Sequence, residues 1–313
     1  MNSLLIFIAV AILQALLVLL IAPFVSGLSR VIRAKMHTRK GPSIFQDYRD
    51  IAKLFKRQDV RTKDSSFIHR FMPVLYLGVM LLLACGIPMF LQTSPISIFG
   101  DIFLILYLLA AVRFFFSLVS IDNGDSYAGV GGARELILGI LVEPGMMLTL
   151  FVLAILIGTT NVGVMSFYLP DVFLQTPATI ICACLAFGLA CYVELGKLPY
   201  DFAEAEQEIQ EGPLQEYSGA SLGILKIAMP MRQIIFASWF AAIFIPFGAA
   251  AELSIGAIAL GFLFYLLKVL IIFVVCAIIE NLVSRVRFKI AGRQIWAILG
   301  LAILSLAFCL MGI

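Results

Sequence analysis

The sequence predicts an all-α membrane protein, a bundle of eight transmembrane helices in a single polytopic domain over residues 1–313. Its residues are 62% hydrophobic and only 13% charged, a composition that excludes a soluble enzyme. Apolar runs long enough to cross about 30 Å of hydrocarbon recur eight times. None of these runs shows the alternating pattern of a barrel strand, so they are predicted to be helices.

Each predicted span is a run of roughly 20 apolar residues, the length at which a helix crosses the bilayer. In chain order the spans lie at about 4–28, 74–91, 102–121, 136–158, 177–195, 233–250, 255–280 and 295–312.

The distribution of Lys and Arg predicts the orientation of the bundle. Of the 22 Lys and Arg residues, 12 lie in the first connection, and the connections near 92–101, 159–176 and 251–254 have none. Basic connections face the cytoplasm. Four connections are therefore predicted to be cytoplasmic, at 30–70, 122–134, 196–232 and 281–293. Both termini are then predicted to be periplasmic.

The six cysteines and two histidines predict no metal site and no cofactor. Every cysteine lies inside an apolar run without CxxC spacing, and both His37 and His69 belong to the first connection. Such residues do not supply the usual ligands of haem or an iron–sulfur cluster. We therefore expect any redox centre to belong to another subunit. The net charge of +3 is too small to indicate nucleic acid as a partner.

The first connection reads as a turn followed by an amphipathic helix. Arg39-Lys40-Gly41-Pro42 precedes Ile44, Tyr48, Ile51 and Phe55, which recur at helical spacing with basic residues between them. Such a helix is predicted to lie on the cytoplasmic surface of the lipid bilayer. Attachment to lipid is the simplest explanation of this segment.

Five ionisable residues lie at or near membrane depth. A charge at the bilayer centre costs on the order of 3 kcal/mol, so these residues predict internal ion pairs or a hydrated path. They are Arg113, Glu143, Glu194, Lys268 and Glu280. Two structural explanations remain open: Glu194 and Glu280 only mark helix ends, and Arg113 and Lys268 are only counter-ions of the glutamates.

The third cytoplasmic connection is acidic, against the positive-inside bias. Its acids are Asp201, Glu204, Glu206, Glu208, Glu211 and Glu216. A helix after Pro199 would place four of them, at 201, 204, 208 and 211, on one face. Such a face is either merely solvated or suited to proton handling and docking of a basic partner, because crowded carboxylates raise one another's pKa.

Together these motifs resemble the subunit 1 family of respiratory complex I, over essentially the whole chain. Within that family they are most similar to the membrane subunits of formate hydrogenlyase and hydrogenase-4-type complexes. The shared motifs are Arg39-Lys40-Gly41-Pro42 with Gln46, Asp50 and Lys53; Arg134 followed by Glu143; Pro199, Asp201, Glu204, Glu206 and Glu208; Glu216-Tyr217-Ser218; and Arg285-Val286-Arg287-Phe288 with Trp296. Glu211-Gly212-Pro213-Leu214 and Glu143-Pro144 resemble the hydrogenase branch.

The resemblance implies a membrane-anchor and coupling subunit with no catalytic residue of its own. It would dock [NiFe]-hydrogenase large and small subunits with an iron–sulfur subunit, and relay changes to antiporter-like membrane subunits. The implied path comprises Glu143, Glu194, Asp201, Glu204, Glu206, Glu208 and Glu216, with Arg113, Arg134, Lys268 and Glu280 as coupling residues. The implied docking residues are Arg39, Gly41, Pro42, Gln46, Asp50, Lys53 and Tyr217.

Further expectations and alternatives follow from this resemblance. Glu143 is expected to contact water of the acidic path or a cation such as Arg134. Two other functions stay open: the quinone-site membrane subunit of a complex I-type NADH:quinone oxidoreductase, and a stand-alone ion transporter.

Overall fold

A computed structural model describes residues 2–60, 65–122, 124–203, 205–251 and 254–313. Within these residues the chain is helical and forms no β-strand. The helices are α1 Asn2–Met36, α2 Gln46–Phe55, α3 Phe67–Gly86, α4 Ile102–Asp122, α5 Ser126–Ile157, α6 Val162–Gln175, α7 Pro177–Glu194, α8 Glu206–Ile209, α9 Gly219–Phe244, α10 Ile255–Leu282 and α11 Phe288–Met311.

Eight of the described helices, α1, α3, α4, α5, α7, α9, α10 and α11, are long and apolar enough to cross a membrane. This confirms the predicted all-α, multi-pass membrane class. Several helices extend beyond their apolar runs, since α3 begins at Phe67, α5 at Ser126 and α9 at Gly219. Hydropathy marks only the apolar part of a helix, whereas the caps set its ends. Ser66 and Asp125 accept hydrogen bonds from the first turns of α3 and α5.

Helix α6 lies in a connection for which the apolar pattern predicted no helix. Asn161 caps it by accepting hydrogen bonds from the backbone N–H groups of Gly163 and Val164. Its 14 residues reach about 21 Å at 1.5 Å per residue. That length is too short to cross about 30 Å of hydrocarbon.

Helix α5 is the centre of the bundle, because it packs against α4, α7 and α11. Helix α3 packs between α1, α4 and α9, and α10 contacts α1 and α9. The interior is closed by large side chains that no solvent reaches, among them Tyr76, Phe187 and Trp239. Arg113 and Glu194, on α4 and α7, and Glu135 and Arg232, on α5 and α9, are mostly buried in this interior.

The amphipathic helix α2 is confirmed. Its Ile51 is buried, and the helix packs against α9 and α1. Arg30 of α1 pairs with Asp47 at 2.6 Å, which fastens the polar side of the helix.

The residues after α2 are hydrogen-bonded to the start of α9. The Ser218 hydroxyl accepts from the Val60 N–H at 2.7 Å and donates to the Val60 carbonyl at 2.9 Å. Ser221 donates to the Asp59 carboxylate at 2.7 Å. At Gly219 a Cβ would lie 2.6 Å from the Gln58 carbonyl oxygen, so this close approach requires glycine. We call these contacts the 59–221 clasp.

Candidate functional site

A group of five charged side chains lies where α4, α5, α7 and α9 meet. Arg113 of α4 donates through Nη1 to Glu143 and through Nη2 to Glu194. Its Nε lies 3.7 Å from Glu135 Oε1. Arg232 of α9 donates to the same Glu135 oxygen at 2.8 Å and to the Glu194 carbonyl at 3.2 Å. We call these five residues the Arg113 cluster.

The Arg113 guanidinium reaches three carboxylates because α5 is narrow at Gly139. A Cβ at this position would lie 2.1 Å from Arg113 Nη1. Glycine is therefore the residue that allows the guanidinium to lie directly against the helix. This local feature positions the planar donor fork that can bind several carboxylates at once.

The Arg113 cluster contains three carboxylates and two guanidiniums. Arg113 and Glu194 are almost completely buried, with 7% and 4% of their side chains exposed. Buried charges are tolerated only when they are paired and hydrogen-bonded. With every group ionised the cluster carries one excess negative charge, which uptake of one proton would neutralise. The arrangement is thus chemically able to hold and release a proton.

Glu143 is the most exposed carboxylate of the cluster, with 37% of its side chain accessible. It lines an apolar groove of about 360 Å³ between α4 and α5. Phe103, Tyr107, Ile140 and Met147 form much of the wall. The Glu143 carboxylate therefore lies between the outer surface of the bundle on one side and Arg113 on the other.

A narrow cavity joins the other side of the cluster to the acidic connection. Its volume is about 20 Å³, and Arg113, Glu194, Arg232 and Asp201 line it. That space accommodates about one water molecule. Asp201 also pairs with Arg285 at 2.9 Å, so the cavity connects the cluster to the residues after α10.

Glu280, near the end of α10, forms a second ion-pair group. Arg33 donates to it at 3.0 Å, and Lys197 lies 3.8 Å away. The Lys197 ammonium also donates to the Ser29 hydroxyl at 2.6 Å. Burial lowers the pKa of Lys197, and the Glu280 carboxylate opposes that shift.

Glu143 pairs with a cation, as expected, but Arg134 as that cation is wrong. Arg134 pairs with Glu208 at 2.7 Å, and its guanidinium lies 5.8 Å from the Phe288 ring centre. Arg134 is adjacent to Glu135 in α5, and about 100° of helical rotation directs its side chain away from the face that carries Glu135. Glu143 is paired with Arg113 instead.

The predicted acidic helix face is also wrong. Helix α8 covers only Glu206–Ile209, and both Gln210 and Glu211 have positive φ angles, of 48° and 67°. This left-handed backbone ends the helix before Gly212-Pro213. Asp201 and Glu208 consequently bind different arginines, on separate elements. Glu204 and the side chain of Glu206 lie outside the described residues.

Glu216 ends a short 3₁₀ turn, Gly212–Glu216, and Tyr217 follows it. Burial and the nearby Asp125 carboxylate raise the pKa of Glu216. Tyr217 is buried and stacks on His69 with ring centres 4.2 Å apart. Burial raises the pKa of the Tyr217 phenol. Neither residue contacts the Arg113 cluster.

Lys268 lies apart from the glutamates. Among the described residues it forms no ion pair, and its ammonium donates to the Ile245 carbonyl at 2.6 Å. Ile245 follows the last turn of α9, where carbonyl groups lack helical donors and a cation is favourable. The expectation that Lys268 is a counter-ion of the glutamates is therefore wrong.

The predicted docking residues of the first connection lie near the surface. Arg39, Gly41, Pro42 and Lys53 are exposed. Gln46 donates to Asp50 at 2.9 Å, and Lys53 lies 3.8 Å from the same carboxylate. This surface carries polar groups that a partner could bind.

Sequence reasoning missed Glu135, Lys197 and Arg232. Glu135 lies eight positions before Glu143, so the two share one side of a helix. That relation was hidden because the span containing Glu143 was predicted to begin at 136. Arg232 was likewise assigned to a connection, whereas α9 begins at Gly219.

Comparisons with known proteins agree with this fold. The chain is 47% identical to hydrogenase-4 component C of Escherichia coli (strain K12), over 97% of this chain and 96% of that protein. It is 39% identical to formate hydrogenlyase subunit 4 of the same organism, over 93% and 95% respectively. A chain of the membrane-bound sulfane sulfur reductase, an archaeal respiratory membrane complex, matches with a TM-score of 0.81 and 21% identity, covering 97% of this chain and 99% of that chain.

The last likeness shows the fold alone, because the identity is low. The sequence profile of the family described as NADH dehydrogenase matches residues 8–311. The chain therefore belongs to the NADH dehydrogenase family, the family of complex I subunit 1.

Proposed function

We propose that this chain is the membrane-anchor and coupling subunit of a membrane-bound [NiFe]-hydrogenase complex of the formate hydrogenlyase type. The observation that carries this proposal is the 47% identity to hydrogenase-4 component C over 97% of the chain. Catalysis belongs to the peripheral arm of the assembly, comprising the hydrogenase large and small subunits and an iron–sulfur subunit. The chain itself holds this arm at the cytoplasmic side of a bacterial inner membrane.

Two adjoining surfaces form the proposed docking site for the peripheral arm. One is the exposed side of α2 with Arg39 before it, and the other is the connection that contains Asp201 and Glu208. The 59–221 clasp holds the first of these surfaces against the start of α9. Charge of both signs on adjacent surfaces favours a partner with a complementary pattern.

The Arg113 cluster is the proposed coupling element. On one side the narrow cavity reaches Asp201, and on the other Glu143 faces the groove between α4 and α5. Ionisable residues that face both a connection and the outer surface of a bundle suit a proton relay. Antiporter-like membrane subunits would then lie against the groove and continue the path from Glu143.

Purification of the tagged chain from gently solubilised membranes tests this function. We expect hydrogenase activity with a soluble redox dye to co-elute with the chain, because the enzyme's catalytic subunits are bound to it. The complex I alternative expects co-elution of NADH:quinone oxidoreductase activity instead. The transporter alternative expects ion transport by the isolated chain in vesicles. Either result without hydrogenase activity would overturn the proposal.

The proposed orientation has a separate test, in a background in which the six native cysteines are replaced by alanine. Gln58→Cys is expected to be protected from a membrane-impermeant thiol reagent in intact cells, because basic connections face the cytoplasm. Ile313→Cys is expected to react, since both termini are proposed to be periplasmic. Reaction of both sites after permeabilisation is the control for accessibility. Equal labelling in intact cells would contradict the orientation.

A further inference from the structure

A polar cavity of about 510 Å³ lies between the ends of α1 and α10, next to the segment after α7. Cationic side chains from four segments of the chain line it. They are Arg30 and Arg33 of α1, Arg39, Lys197 and Arg285. We call this space the basic cavity. It is distinct from the Arg113 cluster, none of whose members lines it.

Positive charge exceeds negative charge in the basic cavity. Its five lysine and arginine residues face two carboxylates, Asp201 and Glu280. Glu280 is shared by Arg33 and Lys197, and Asp201 binds Arg285. Even after Arg30 is paired with Asp47 outside the lining, the cavity keeps a net positive charge. Such a space favours an anion.

Two arginines of the cavity have donors left over. Within the described residues, the side chain of Arg39 has no hydrogen bond or ion pair, and the buried Nη1 of Arg285 has no hydrogen-bond partner. A buried donor without a partner is costly, and guanidinium donors match the geometry of phosphate oxygens. An oxyanion in the cavity would accept from both arginines.

The surroundings of the cavity indicate where that anion comes from. The ends of α1 and α10 are joined there by Arg33 and Glu280 at 3.0 Å, and by Asn281 and the Met36 sulfur at 3.2 Å. The neighbouring surface of α10 exposes Val275, Ile278 and Leu282. A polar cavity thus adjoins an apolar helix surface at the end of a transmembrane helix, as the headgroup and acyl chains of a lipid require.

We propose that the basic cavity binds the phosphate headgroup of an anionic phospholipid, whose acyl chains lie along α10. The lipid joins the ends of α1 and α10 to the segment after α7, which carries Lys197 and Asp201. Its phosphate accepts from Arg39 and from Arg285 Nη1. A zwitterionic lipid is bound more weakly, because its headgroup brings a cation into a space that is already positive.

Native mass spectrometry of the full chain, detergent-washed and then supplied with defined lipid, tests the proposal. Phosphatidylglycerol is expected to remain bound under conditions that remove phosphatidylcholine. Arg39→Gln is expected to weaken phosphatidylglycerol binding about fivefold, the effect of removing one basic residue near an anionic headgroup. Arg285→Lys keeps a positive charge opposite Asp201. Lysine has a single nitrogen and cannot replace the Nη1 donor, so this variant is also expected to bind phosphatidylglycerol more weakly.

Arg293→Gln is the matched control, since it removes an exposed arginine near the start of α11 that does not line the cavity. It is expected to leave lipid binding unchanged. Equal retention of the two lipids, or an equal loss in Arg293→Gln and Arg39→Gln, would overturn the proposal. If inorganic phosphate stabilises the chain thermally and no lipid is retained, the cavity binds a free anion and the proposal fails. Unchanged lipid retention in Arg39→Gln would also overturn the proposal, whether or not the variant loses the peripheral arm that Arg39 is proposed to help dock.

Discussion

Arg113→Gln is expected to destabilise the chain more than any other substitution in the cluster. Glutamine leaves Glu143 and Glu194 without their ion-pair partner, whereas Arg232 keeps its ion pair with Glu135. Breaking a buried ion pair by removing one partner costs roughly 3–5 kcal/mol, because the other charge stays buried. In detergent this loss is expected to lower the thermal midpoint of the chain by about 10 °C.

A set of matched variants distinguishes electrostatic from packing effects. Arg113→Lys keeps the charge but loses the planar fork, so a smaller loss is expected. The double variant Arg113→Gln with Glu194→Gln removes a charge of each sign and is expected to recover part of the midpoint. Arg57→Gln, at an exposed position outside the cluster, serves as the control. A wild-type midpoint in Arg113→Gln would show that the carboxylates do not depend on this cation.

Glu143→Gln is expected to separate hydrogen turnover from ion translocation. Glutamine keeps a side chain that can bond Arg113, so the cluster retains its geometry, but it cannot bind and release a proton. Hydrogenase activity with a soluble dye is expected to stay within about twofold of the wild type. Translocation in sealed vesicles is expected to fall at least about tenfold, which corresponds to about 1.4 kcal/mol.

Asp171→Asn provides the matched control for this experiment. Asp171 is an exposed acid on α6, outside the Arg113 cluster, and its replacement is expected to change neither activity. Normal translocation in Glu143→Gln would remove Glu143 from the proposed path. If Glu143→Gln loses both translocation and hydrogenase activity with the dye, the complex is not assembled correctly. That result would contradict the proposal that Glu143 acts in coupling and not in catalysis.

The transmembrane architecture could be predicted because a single physical requirement governs it. Each span must present about 20 apolar residues to lipid, and each of the eight predicted spans overlaps a membrane-length helix. The predicted ends at 91 and 250 are wrong, because α3 ends at Gly86 and α9 at Phe244. The ends of the helices were less predictable. Helices α5 and α9 begin with polar and glycine-rich turns, which hydropathy assigns to connections although Asp125 caps the first of them.

Three of the five charged residues of the site, Arg113, Glu143 and Glu194, could be recognised from the sequence, because each is costly in a membrane. Their pairing was not predictable. Arg113 and Glu194 are 81 residues apart and meet only because α4 and α7 both pack against α5. The spacing of the acidic residues in the third cytoplasmic connection is compatible with one helix, so a helical face was predicted there. That spacing carries no information about the left-handed backbone at Gln210 and Glu211.

The 59–221 clasp has a mechanical consequence for the interior of the membrane. It fixes one end of α9 to the segment after α2, and Arg232 lies 13 positions along that helix, a lever arm of about 20 Å. Pro230 lacks an amide hydrogen, so the helix bends most easily just before Arg232. A load applied at the surface loops would therefore be transmitted as a tilt of α9 and would alter the distance between Arg232 and Glu135.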